Sequence, residues 1–181
     1  MKRTQPINMK YIAILRGINV SGSKKLPMAE LRTLLSNLNL TDVKTYIQSG
    51  NVVFTSDEQE QQKLGNLISE AIKKQYDYEV PVLVKTIAQW KNAMANNPYI
   101  DKDISKQAIT FLATTPAETT FEINSKDDEF TIINSEVYLY CPNGFGRSKL
   151  TNNLFERKLK TQATTRNWKT IHKLLEMAEA F

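Results

Sequence analysis

The chain has 181 residues, 41% hydrophobic and 24% charged, with a formal net charge of +5. That is the composition of one globular domain or two small halves, large enough to bury a core without a disulfide or metal staple. A single cysteine, Cys141, excludes an intramolecular disulfide, and a single histidine, His172, excludes multi-His/Cys zinc sites built from this chain alone.

The first residues, Met1-Lys2-Arg3, resemble the charged start of a signal peptide, but Pro6, Asn8 and Lys10 interrupt the apolar run that should follow. No stretch approaches the roughly 18 apolar residues of a membrane-spanning helix. A cytoplasmic protein with no membrane partner is therefore expected. Tyr11 to Leu15 is a continuous apolar run ending at Arg16-Gly17, the pattern of a buried central strand. After a polar loop, Pro27 opens a helix whose Met28, Leu31, Leu34, Leu35 and Leu38 recur at three- and four-residue steps. Val43–Ile47 and Val52–Thr55 read as strands joined across Gln48-Ser49-Gly50-Asn51, where Ser, Gly and Asn supply the backbone freedom of a hairpin. Ser56 and Gln59 have capping-box spacing for a helix carrying Leu64, Leu67, Ile68, Ala71, Ile72 and Tyr76. Val80–Val84 is a strand that Pro81 assigns to an edge or an entry point.

This order, β-α-β-β-α-β, is that of a ferredoxin-like half. A looser second pass follows. A helix near 88–95 leads to a strand at Ile109–Ala113, and Pro116 opens another short helix. Phe130–Ile133 and Val137–Tyr140 form a hairpin across Asn134-Ser135. Two helices close the chain, one with Leu150, Leu154, Phe155 and Leu159, the other opened by Thr164-Thr165-Arg166-Asn167, with Thr165 or Asn167 as its cap, and carrying Trp168 and Ile171 as core. The expected fold class is α+β: two similar ferredoxin-like (βαββαβ-type) subdomains with antiparallel sheets and a helical C-terminus. Residues 1–9 are an N-terminal extension, 10–96 the first subdomain, and 97–181 the second with its C-terminal helices.

Charge is unevenly placed. Residues 1–25 hold six basic groups and no acid, and residues 147–173 hold eight against Glu156 alone, so the remainder of the chain is net acidic. If the fold joined the two basic stretches, they would make one surface that concentrates anions; otherwise they are solvated helix faces. Gly17-Ile18-Asn19-Val20-Ser21-Gly22-Ser23-Lys24 sits between a strand and a helix, as a phosphate-binding P-loop does. Its Ser-Lys order displaces the ammonium, and the helix begins only at Pro27, so nucleotide hydrolysis is set aside. A glycine-rich turn flanked by Arg16, Lys24 and Lys25 remains an anion seat. Gly144-Phe145-Gly146-Arg147-Ser148-Lys149, before the helix expected near Leu150, is read equally well as a second seat or as a Ser148 cap beside solvated charges. Cys141 reads as a buried, inert thiol and His172 as a boundary residue.

Leu15-Arg16-Gly17-Ile18-Asn19-Val20, Pro27-Met28-Ala29-Glu30-Leu31, Tyr46 to Phe54, Gly146-Arg147-Ser148-Lys149-Leu150 and Ala163 to Thr170 together resemble the bacterial domain-of-unknown-function family 1697. The likeness runs from about Lys10 to Ala178. It implies an α+β fold with two ferredoxin-like subdomains, and it brings no activity, cofactor or catalytic residue.

The leading expectation is a small anionic ligand, phosphorylated or carboxylate, in a groove between the halves. Arg16, Gly17, Asn19 and Lys25 would come from the first loop, and Ser49, Gly50 and Asn51 from the hairpin. Gly146, Arg147, Ser148 and Lys149 would form a second cradle closed by Arg166 and Asn167. Neither metal nor cofactor is expected, and no group is singled out as catalytic. A single-stranded nucleic-acid module is the less favoured alternative, with Tyr46, Phe54, Tyr138 and Tyr140 as stacking residues but no aromatic-rich RNA-recognition strand. An interaction scaffold without a small ligand is the third.

Overall fold

The computed structural model describes residues 7–181. Of the expected extension, residues 1–6 lie outside the described residues. The chain forms two four-stranded antiparallel sheets in separate compact units. One unit holds the described residues up to Trp90 together with Leu174–Phe181, and the other holds Lys91–Lys173.

In the first unit, β1 (Met9–Leu15), β2 (Thr41–Tyr46), β3 (Asn51–Ser56) and β4 (Val82–Thr86) are ordered β2-β3-β1-β4. The apolar run of β1 lies between β3 and β4, with Tyr11 to Leu15 fully buried, as a central strand requires. Edge strand β2 carries a register irregularity between Thr41 and Lys44, which blunts an open edge. Pro81 immediately precedes β4, the opposite edge, where a missing N–H is tolerated. Helix α1 (Met28–Ser36) starts after Pro27 and buries Met28, Leu31 and Leu35. Helix α2 (Gln61–Tyr76) buries Leu64, Ile68 and Ile72. The capping box expected at Ser56 does not form: Ser56 pairs with Met9 as the last residue of β3, and α2 begins only after Glu60. The Ser56 hydroxyl instead accepts from Glu58 N at 3.1 Å.

In the second unit, β5 (Gln107–Leu112), β6 (Glu129–Ile133), β7 (Glu136–Tyr140) and β8 (Ala163–Asn167) are ordered β6-β7-β5-β8, repeating the first pattern. The β6–β7 hairpin turns at Asn134-Ser135 as expected, with Asn134 at φ 54. Helix α3 (Ile87–Ala95) precedes this sheet. The last two helices are α4 (Asn152–Leu159) and α5 (Trp168–Glu179). Two expectations are corrected here. No helix opens at Pro116 among the described residues; residues 113–128 run without helix or strand between β5 and β6. Residues 164–167, expected to open the last helix, lie in strand β8, which is held by five residue pairings to β5. Pairing partners far away in sequence override a local composition that reads equally well as a helix start.

Each sheet packs one face on its own core. In the first unit this core joins Tyr11, Phe54, Leu31, Leu35, Ile68 and Ile72, and in the second Leu112, Val137, Leu139, Leu154, Phe155 and Leu159. Phe121, from the irregular 113–128 segment, stacks on Phe130 at 5.1 Å and meets Phe155 edge-on at 6.3 Å. Apolar anchors thus substitute for the absent crossover helix.

Candidate functional site

The first-unit residues singled out by sequence lie on two adjoining turns. After β1, the chain makes a tight turn in which Ser23 N donates to Val20 O at 2.9 Å, with Ser21 at φ 50 and Gly22 at φ 76. Asn19 ties this loop down. Its Oδ1 accepts from Leu26 N at 2.8 Å, while its Nδ2 donates to Leu26 O at 2.9 Å and to Gln48 O at 2.8 Å. The β2–β3 turn is drawn in from the other side. The buried Asn51 donates from Nδ2 to Tyr46 O at 3.0 Å and to Ser49 Oγ at 2.8 Å. Gly50, at φ 88, is pressed so closely that a Cβ there would lie 2.7 Å from Leu15 Cβ and 2.9 Å from Ile18 Cδ1. Both amide hydrogens of Asn19 and of Asn51 are therefore spent inside the loops, which makes these residues the ties of a fixed platform. Arg16 is half-buried, whereas Gly17 and Lys25 are exposed on that platform.

The second-unit residues sit on the irregular segment between β7 and α4. Gly144 N donates to Cys141 O at 3.0 Å, Ser148 N to Phe145 O at 3.2 Å, and Thr151 N to Lys149 O at 3.0 Å, giving a succession of turns. Cys141 is buried, and desolvation pushes its thiol pKa up, as an inert core thiol requires. The helix expected near Leu150 begins at Asn152. Thr151 caps α4 by accepting Leu154 N at 3.2 Å, and Ser148 Oγ accepts from Leu150 N at 3.0 Å. Arg147 therefore lies off the helix terminus, and its surroundings rather than the helix dipole define its site.

Those surroundings are a cleft of about 230 Å³ lined by Ser125, Lys126, Asp127, Asp128, Asn143, Gly144, Arg147, Ser148 and Lys149. Sequence reasoning named Arg147, Ser148 and Lys149 and missed Lys126, Asp127, Asp128 and Asn143. The only local sign of these was a polar Ser-Lys-Asp-Asp turn, which says nothing about the segment it faces. A second cleft, about 380 Å³, lies across the same irregular segment and is lined by Ala108, Leu139, Phe145, Leu150, Thr151, Asn152, Thr165 and Asn167. In it Thr165 shares a 2.6 Å hydroxyl contact with the buried Thr110 and donates to Asn152 Oδ1 at 2.7 Å. Asn167 lines this second cleft and caps α5, accepting Thr170 N at 2.9 Å. Arg166 alternates with Thr165 and Asn167 along β8 and so points to the opposite face. It is half-buried, and loss of hydration lowers its guanidinium to about 10, leaving it cationic at neutral pH.

Two of the four aromatics expected to stack on nucleic acid are withdrawn. Phe54 is fully buried and stacks on Tyr11 at 5.6 Å, and the buried Tyr138 donates its hydroxyl to Ala93 O at 2.6 Å. No helix among the described residues is long and apolar enough to cross a membrane. Nor do three or more His, Cys, Asp or Glu side chains among them gather as a metal site would need.

The model of a family described as "Protein of unknown function (DUF1697)" matches residues 9–138. No curated protein matches the chain. Among solved structures, the conserved bacterial protein SP0830 from Streptococcus pneumoniae is similar at 24% identity with a TM-score of 0.70, covering 95% of this chain and 99% of that one. At that identity the likeness is one of fold.

Proposed function

The chain belongs to the DUF1697 family, and on the geometry of its second unit we propose that it binds a small anionic ligand, phosphorylated or carboxylate, through Arg147 and Lys149. The observation that carries this reading is the cleft in which Lys126, Arg147 and Lys149 share one volume of about 230 Å³ with the Ser148 hydroxyl. The planar Arg147 guanidinium can grip two oxygens at once, and the lysines add mobile point charges that raise the local anion concentration. The scaffold is read as two ferredoxin-like subdomains, supported by the shared strand order β2-β3-β1-β4 and β6-β7-β5-β8. Within the first unit, Arg16 and Lys25 on the platform tied by Asn19 are read as an anion contact of that unit.

Melting of the full chain with inorganic phosphate, sugar phosphates and simple carboxylates tests the reading. At least one of them should raise the melting temperature, by an amount that grows with its concentration. The Arg147→Ala/Lys149→Ala variant should melt like the wild type without ligand, because both side chains are exposed, and should lose that rise. An absent rise in the wild type, or an equal rise in the variant, would overturn the assignment.

A further inference from the structure

The Arg147 cleft is lined by charges of both signs: Lys126, Arg147 and Lys149 face the same volume as Asp127 and Asp128. Among the described residues, no ion pair within 4.0 Å joins any of these acids to any of these bases. The acidic side is built into a closed turn. Asp128 N donates to Ser125 O at 3.1 Å, Ser125 Oγ donates to Asp128 O at 2.8 Å, and Lys126 takes φ 56. Asn143 Nδ2 steadies Asp127 by donating to its Oδ2 at 3.3 Å.

Asp128 also faces the buried Cys141 thiol, but neither that neutral group nor Asn143 cancels a charge. Opposite charges that face one small volume without pairing therefore still direct both potentials at whatever enters. A simple anion would gain from Arg147 and Lys149 but meet the field of the two carboxylates, and a simple cation would meet the reverse. A molecule carrying both signs complements both walls. The cleft also lies below the roughly 300–1,000 Å³ of ordinary ligand sites, which suits a compact molecule rather than a nucleotide. We propose that the cleft takes a small zwitterion, a primary ammonium close to a carboxylate or phosphate. Arg147 and Lys149 hold the anionic group, and Asp127 and Asp128 hold the ammonium. The inference rests on the anion reading of the same cleft and narrows its ligand class.

Calorimetric titration of the full chain at neutral pH and low salt separates the two. The probes are two pairs, O-phosphoethanolamine with ethyl phosphate and L-alanine with propionate; the pairs distinguish a phosphate from a carboxylate ligand. In at least one pair the zwitterion should bind about tenfold or more tighter than its ammonium-free partner. The Asp127→Asn/Asp128→Asn variant should abolish that preference while binding the ammonium-free partner at least as well. Single Asp127→Asn, at an exposed position, should reduce the preference in the same direction and serves if the double variant fails to fold. Equal affinities within both pairs, or a preference that survives in the variants, would overturn the zwitterion assignment and leave the anion reading standing. Failure of all four probes to bind would remove both.

Discussion

The two units string their sheets in the same order but join the first two strands differently. Between β1 and β2 the chain makes a stapled loop and helix α1. Between β5 and β6 it crosses in residues 113–128 with neither helix nor strand, anchored by Phe121 and Ile123. In the first unit the loop's polar side chains are spent on its own backbone, through Asn19 and Asn51. In the second, the irregular crossover and the irregular approach to α4 face each other, and their charged side chains line a cleft. Here the loop of the regular crossover spends its amide side chains on the fold, whereas the irregular one leaves charged side chains lining a cleft.

That contrast makes the aromatic anchor of the second unit its most vulnerable point. Phe155 is fully buried and touches both Phe121 and Phe130, with ring centroids 6.3 and 5.8 Å away. Phe155→Ala should cost about 3–5 kcal/mol, measured by denaturant unfolding, since it empties the buried position where α4 meets both crossover and strand rings. A loss below about 1 kcal/mol would mean that the crossover is not held by these rings.

The corresponding break in the first unit is Gly50→Ala. The new methyl would meet Leu15 Cβ at 2.7 Å and Ile18 Cδ1 at 2.9 Å on a residue already at φ 88. Overpacking and left-handed strain together should cost about 2–4 kcal/mol. The same substitution at Gly144, also at φ 88 but with nothing within 4 Å of the added Cβ, should cost only the backbone strain, about 1–2 kcal/mol. Paired unfolding curves measure that difference. Equal losses would show that the platform yields as easily as the cleft's rim.

How much of this could be read from residues follows the same division. The central strand Tyr11–Leu15, the Asn134 hairpin, the Pro27 helix start and the core role of Trp168 were legible, because each rests on local periodicity or on turn chemistry. Strand β8 was not: Thr164 to Asn167 satisfy helix-start rules as well as strand rules, and pairing with β5, far back in the chain, decides. Asn167 nonetheless caps the last helix, as one of the two cap positions its residue type announces, because α5 begins at the next residue, Trp168. Ser56 failed as a cap for the same reason, being held in β3 by its pairing with Met9. Of the candidate cleft, Arg147 and Lys149 were legible as a basic cluster beside glycines. Asp127, Asp128 and Asn143 were not, since two irregular segments meet there without any repeating pattern to announce it.

The smallest expected effect concerns how regular helices settle their polar groups. Tyr76 of α2 donates its hydroxyl to Glu30 Oε2 of α1 at 2.5 Å, and its pKa is raised to about 12 by burial first and by the bond to Glu30 second. A raised folded-state pKa means the neutral phenol is the stabilising form. Its contribution is therefore complete below pH 10, the ordinary tyrosine value, and declines as pH rises toward about 12. Tyr76→Phe should lower stability by about 0.5–1 kcal/mol at neutral pH, and the wild-type advantage should vanish at the alkaline end of that window. In the absorbance titration of tyrosinate, the variant should lose one late-titrating group. Loss of a group that titrates near pH 10 instead, or a stability difference that stays constant from pH 8 to 12, would show that the α1–α2 tie is not made through this hydroxyl. The regular unit would then leave at least one polar group as uncommitted as those lining the Arg147 cleft.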